Sequence, residues 1–365
     1  MNLTTVKFNR RQTPEFFSTL KMRVNEYFES RRISTFCTPG MVVKTVVMLG
    51  LYLVPYFLII FDVLESKLLI FAMWALMGFG AAGIGLSVMH DANHGAYSRH
   101  KWVNVILGYL LNFLGGSATN WKMQHNVLHH SFTNVDGLDE DIAVGNLLRL
   151  SPAQPRLNIH RLQFLYAWFL YGLMTIMWVT SKDFRQLVRY KRNGVLAMQH
   201  RPFRELFFEL ILSKILYYAY ILVLPLLLSS APWWLTVAGF IAMHMILGFT
   251  LAIIFQPAHV VSETEFPQPD EKGNMENHWA IHQLLTTSNF APKSRIFSWF
   301  VGGLNFQVEH HLLPNICHVH YKKLSKIVRE TAEEYGLPYH VQPTFLAALW
   351  SHMKLLWSLG RPQRA

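Results

Sequence analysis

The chain has 365 residues, of which 52% are hydrophobic and only 15% charged, where an average soluble domain carries roughly 25% charged residues. That composition excludes an ordinary soluble enzyme. A formal charge of +11 fits nucleic acid, acidic substrates or an anionic membrane face; the apolar content selects the membrane, and no nucleic-acid partner is expected.

The opening segment, residues 1–40, is polar, holds seven Lys/Arg and lacks an apolar core stretch, so no cleavable signal peptide is expected and the segment is predicted to be cytoplasmic. Spanning a bilayer takes about 20 mostly apolar residues, because every backbone polar group must be satisfied within the segment. Residues 41–62, 68–89, 206–228 and 234–256 meet that requirement. Only residues 63–67 and 229–233 separate the members of each pair, which predicts two helical hairpins. Lys44, Glu209 and Lys214 lie toward span ends and are expected to snorkel to the interface.

Orientation follows from Lys/Arg counts near the spans. The two connecting loops hold one, Lys67, whereas residues 1–40 hold seven and residues 90–205 hold thirteen. Hairpin tips therefore face outward, with termini and central segment cytoplasmic. Residues 102–116 are too short to span. Residues 162–180 are long enough, but a lone crossing there would put the histidines before it and those after Gln256 on opposite faces, so both stretches are expected to be interfacial or re-entrant. The expected fold is an all-α membrane protein with four transmembrane helices in two hairpins under a cytosolic histidine-rich cap. Residues 41–321 form its main domain and 322–365 a cytoplasmic helical C-terminal segment.

Cys37 and Cys317 are the only cysteines; they cannot build a disulfide framework or a thiolate-held cluster. The 18 histidines are the informative residues. His90-Asp91-Ala-Asn-His94 follows the second span and places two imidazoles at i, i+4, on one helix face. In His125-Asn126-Val-Leu-His129-His130, His125 and His129 share a face, while His130 turns about 100° away on a 3.6-residue helix, toward a neighbouring metal. Gln307-Val-Glu309-His310-His311 repeats the pattern with Gln in the first place. His259, at the end of the last span, lies at the level expected for His90. His278 and His282, another i, i+4 pair, compete for a further position as ligand or support, as does Gln307.

His244 falls inside a span and reads as a packing residue. His100, His160, His200, His340 and His352 read as surface positions, and His318 and His320 as supports of the third cluster or as unrelated to it. Eight or nine neutral imidazoles suit first-row transition metals rather than calcium or magnesium. Two metals use the whole set, and iron is favoured because it activates dioxygen. Asp91, Asp136, Asp139, Asp141 and Glu309, together with Asn126, are placed to orient imidazole N–H groups.

These three clusters resemble the histidine boxes of membrane fatty acid desaturases, and the opening Gln307 resembles the front-end, delta-6 linoleoyl-type subgroup. The likeness extends from about Gly78 to Tyr321. It implies a four-helix stem, a non-haem di-iron centre using O2, and ligand roles for His90, His94, His125, His129, His130, His310 and His311, with His259 as the isolated ligand after the last span. The implied reaction inserts a cis double bond into an acyl chain carried as acyl-CoA, on acyl carrier protein or in a membrane lipid. Many front-end relatives carry a fused cytochrome b5 with a His-Pro-Gly-Gly signature. That signature is missing from this sequence, so a separate ferredoxin or cytochrome b5 type donor is expected. A di-iron lipid hydroxylase is the neighbouring alternative. A histidine-rich metal transporter, or a b-type cytochrome, would need ligands midway along its spans, where only His244 lies.

Overall fold

In the computed structural model, residues 6–9, 14–199 and 201–362 are described; His200 lies outside them. Among these, five helices are long and apolar enough to cross a membrane: α1 Pro39–Ile60, α2 Lys67–Asn93, α3 Asn158–Arg192, α4 Phe203–Leu228 and α5 Trp233–His259. The four expected spans match α1, α2, α4 and α5. The stretch expected over 162–180 belongs to a single helix of 35 residues.

The helices pack around Met48, Tyr52, Trp74, Met77, Met243 and Leu247, all buried. Their outer faces carry exposed Val43, Val46, Leu68, Phe208 and Leu227, the sidedness of a bundle surrounded by lipid rather than water. Where α3 meets α5, a Cβ on Gly248 would stand 2.6 Å from the Gly172 carbonyl oxygen. Only glycine permits that backbone approach, the usual device for packing helices without a hydrophobic driving force.

Two of the three charges expected to snorkel turn inward instead. Lys214 donates to the carbonyls of Gly115 (2.6 Å) and Trp178 (3.1 Å) and to Asp183 (2.7 Å). Lys44 donates to His318 Nε2 at 2.8 Å. Both are buried, because each finds an internal partner that compensates its desolvation. Glu209 stays partly exposed, paired with Arg201 at 2.7 Å.

The cap is built from the chain flanking these helices. Pro14–Arg31 packs on Tyr321–Glu334 through Phe16, Leu20, Leu324 and Val328. The cap also holds a departure from an all-α fold: Ser288–Phe290 and His340–Gln342 pair as short parallel strands, Ser288 opposite His340. Three-residue strands are too short for a period-2 pattern to announce them. His160 and His352, expected at the surface, are buried. His160 bonds the Asn146 carbonyl at 2.8 Å, and His352 joins Tyr171 Oη (2.7 Å) to the Val260 carbonyl (2.6 Å), so both serve as pins between cap and stem.

Candidate metal centre

Two π-helical turns deliver the histidines. Ile84–Met89 precedes the first cluster inside α2, and Lys122–His129 carries the second. Hydrogen bonding from i to i+5 widens a helix locally and is frequent at functional sites. Here it changes which rings converge. His130, five residues after His125, brings its Nε2 to 3.2 Å from His125 Nε2. His129, stacked on His125, also reaches a group with His259 and His311. His125 and His129 share a face as expected, their rings stacked 5.3 Å apart; what the wider turn changes is His130, which meets His125 as well.

The first group is His90, His94, His125 and His310, each offering a nitrogen within 4.8 Å of the others. The second is His129, His259 and His311, and His130 joins the two through His310 and His311. All eight histidines singled out by their clusters thus converge. His130 Nε2 stands 2.9 Å from His310 Nε2, and His90 Nε2 stands 3.2 Å from His125 Nε2. The Nε2 atoms of His94, His129, His259 and His311 are buried with no hydrogen-bond partner.

The opposite nitrogens of four rings are held. His129 Nδ1 donates to Asp139, 3.1 Å from both carboxylate oxygens, with Asp141 at 3.4 Å. His259 Nδ1 donates to the Thr286 carbonyl at 3.1 Å, and His311 Nδ1 to Gln283 at 2.8 Å. His310 Nδ1 lies 3.3 Å from Tyr321 Oη. Burial lowers the pKa of His125, His130, His310 and His311 well below the ordinary imidazole value. Neutral rings with lone pairs aimed at one another repel, and a shared cation removes that repulsion. The donor set therefore fits a transition-metal centre.

Asp91 lies one layer out, accepting from His318 Nδ1 at 2.8 Å, with His318 in turn held by Lys44. Asn126 donates to the Asn93 carbonyl, tying the first two clusters together. Glu309 points away from the rings to Tyr339 and Asn289, each at 2.8 Å; burial pushes its carboxyl up to about 7 against those bonds. Gln307 Nε2 is buried without a partner. His278 and His282 do not join the cluster: His278 Nδ1 accepts from the Ala280 amide, and His282 Nε2 donates to the Thr133 carbonyl at 2.8 Å. Tyr321, Gln283, Thr286 and Trp121 were not anticipated. Only Trp121, stacked on His125 at 4.4 Å and one turn ahead of it, had a sequence signal.

A cavity of about 600 Å³ adjoins the cluster, within the usual range for small-molecule sites. Trp121 and His125 line it together with apolar Ala81, Leu114, Leu247 and Leu251, and its charged lining is Lys182, Arg185 and Arg189 with Glu140 and Asp141. Trp74 and His244, buried in the spans, do not line it; Trp74 packs on Gly239.

The family model for fatty acid desaturase matches residues 66–343. The chain belongs to the fatty acid desaturase family. Over 98% of its length it is 38% identical to an acyl-lipid (8-3)-desaturase of Physcomitrium patens, covering 74% of that protein. It is 36% identical to the sn-1 linoleoyl-lipid 6-desaturases of Arthrospira platensis and Synechocystis, over 96% and 98% of the chain and 94% and 99% of those proteins. This desaturase is an oxidoreductase embedded in the membrane, and its histidine cluster is the place for its metal.

Desaturase stripped of metal should lose stability in acid. Five cluster histidines outside the spans, His94, His125, His130, His310 and His311, have folded pKa values below the unfolded value of about 6.5, so the unfolded chain binds more protons and stability falls as pH drops through that value. His129 acts in the opposite sense: burial lowers it, but Asp139 and Asp141 outweigh burial and hold it up to about 9. With five rings against His129 and the Glu309 carboxyl, the melting midpoint of chelator-treated protein is expected to fall between about pH 7.5 and 5.5; a midpoint that rises over this interval contradicts the burial described.

Proposed function

We propose that this desaturase inserts a cis double bond at the 6 position of a linoleoyl chain, between its existing double bonds and the carboxyl end. The observation that carries this reading is the apolar cavity passing beside His125 and Trp121. An unactivated methylene offers no polar handle, so selectivity must come from how an apolar channel positions the chain. The relatives named as linoleoyl-lipid 6-desaturases support the position and a lipid-borne acyl chain. Lys182, Arg185 and Arg189 suit the polar end of such a substrate.

His90, His94, His125, His129, His130, His259, His310 and His311 would hold two irons, whose chemistry is the activation of O2 and removal of two hydrogens from adjacent methylenes. The protein's own part is to keep the buried rings of His125, His130, His310 and His311 neutral, to fix ring orientation through Asp139, Thr286, Gln283 and Tyr321, and to exclude bulk water. Electrons would come from a separate ferredoxin or cytochrome b5 type donor. The stem is inferred to cross the membrane four times. Gln163, near one end of α3, donates to the carbonyls of Arg149 and Leu356; Gln186, near the other, donates to Gln124 and Glu140. Both ends thus hold cap residues, which supports α3 lying at the interface and the site facing the cytoplasm with the termini.

The test is expression in a host fed linoleate, with double bonds mapped by mass spectrometry of methyl esters and a His310→Ala control. A new bond at position 6, absent from the control, is expected. A bond elsewhere overturns the regiochemistry, and a hydroxylated chain overturns the reaction in favour of a lipid hydroxylase.

A further inference from the structure

Within the stem, one buried polar chain takes no part in the histidine site. Tyr217 of α4 donates through its hydroxyl to His244 Nε2 of α5 at 2.6 Å. His244 Nδ1 lies 3.2 Å from Thr175 Oγ1 of α3, and that hydroxyl donates to the His244 carbonyl at 2.8 Å. Because Nε2 accepts, Nδ1 carries the proton and donates to Thr175, so both ring nitrogens are used. All three residues are at most 2% exposed. Polar groups this deep in apolar helices are costly unless paired, and they commonly mark function; packing alone would be served by Phe, Leu and Val.

The position of the chain relative to the cavity gives it a role. Thr175 lines the cavity, and the other two stand behind it. On α5 the lining begins at Leu247, one turn short of His244, and continues through Leu251 and Phe255 toward His259. On α2 it begins at Ala81, nine residues before His90, or ~14 Å at 1.5 Å per residue. On α3 the lining runs from Leu170 to Arg189, and Thr175, bonded to His244 just before Leu247, is the part of it at that depth; Thr175, Ala81 and Leu247 therefore lie at the end farthest from the imidazoles.

We infer that Thr175, held in place by His244 and Tyr217, is the floor of the acyl cavity and sets the longest methyl-end segment that fits beyond the metal centre. This rests on the reading of the cavity as the acyl site. With the carboxyl side held at the polar end, extra length must be accommodated at the floor. Displacing Thr175 to make room would break its bonds to His244 and leave buried polar atoms unpaired, a cost that falls on the longer chain alone. Thr175 is then a specificity-determining residue, and His244 and Tyr217 are positioning residues that act through it.

The experiment feeds host cells expressing the full-length enzyme equal amounts of linoleate and of the same chain lengthened by two methylenes at its methyl end. The readout is the ratio of the two desaturated products. Wild type should favour linoleate. Thr175→Ala should raise the longer-chain ratio by about tenfold, the scale on which apolar pockets discriminate a methylene or two. Tyr217→Phe should raise it in the same direction, and Thr175→Ser, which keeps the hydroxyl, should stay near wild type. An unchanged ratio in Thr175→Ala and Tyr217→Phe, with linoleate still converted, overturns the floor, as does a Thr175→Ser ratio equal to that of Thr175→Ala. Should Thr175→Ala fail to accumulate, the Tyr217→Phe ratio decides alone. Wild type giving no desaturated product from either chain overturns the acyl-site reading, and the floor with it.

Discussion

The His125→Ala enzyme is expected to make no detectable new double bond and to retain less metal than wild type. His125 Nε2 stands within 3.4 Å of the Nε2 atoms of His90, His130 and His310, so its loss removes a donor from the centre of the group. Asp139→Ala tests a milder change. It leaves every inward nitrogen in place but removes the two 3.1 Å contacts that fix His129 Nδ1, leaving it only Asp141 at 3.4 Å. Loss of such an orienting partner typically costs 10–100-fold in metal affinity or activity. Product yield and metal content measured together on both variants separate the two roles. Full activity in His125→Ala protein would contradict the arrangement.

The second large effect concerns stability. Lys214→Met leaves Asp183, whose side chain is fully buried, without its cation. Removing one partner of a buried ion pair typically costs about 3–5 kcal/mol, whereas replacing both with apolar residues is often neutral or stabilising. The Lys214→Met/Asp183→Leu double variant is therefore expected to melt well above Lys214→Met alone. A thermal double-mutant cycle measures the coupling. Additive losses would mean that Lys214 acts mainly through the Gly115 and Trp178 carbonyls.

What could be read from sequence was whatever depends on local composition. Apolar stretches of span length gave α1, α2, α4 and α5, and clustered imidazoles gave the eight converging rings, because both signals are short-range. The partition of the rings was not legible. Spacing arguments assume 3.6 residues per turn, and the π-helical turn at Lys122–His129 brings His130 to His125 instead of turning it away. Lys44 and Lys214 were misplaced for a different reason. Their partners, His318 and Asp183, lie 274 and 31 residues away in the chain, and no local pattern announces a buried long-range pair. His282 illustrates the converse: i, i+4 spacing with His278 imitates a ligand pair, while its ring is used by the Thr133 carbonyl.

The Thr175, His244 and Tyr217 chain belongs to the same class. Each residue alone reads as an isolated polar position in an apolar helix. Only the packing of α3, α4 and α5 joins them.

The central claim is that eight imidazoles hold two irons at one site. Its most direct test is the metal content of purified full-length enzyme, by elemental analysis with Mössbauer spectroscopy on protein produced with iron-57. Two irons per chain in nitrogen-rich, histidine-dependent environments are predicted, falling in His310→Ala protein. A single metal per chain, or zinc in place of iron in enzyme that desaturates linoleate, would contradict it.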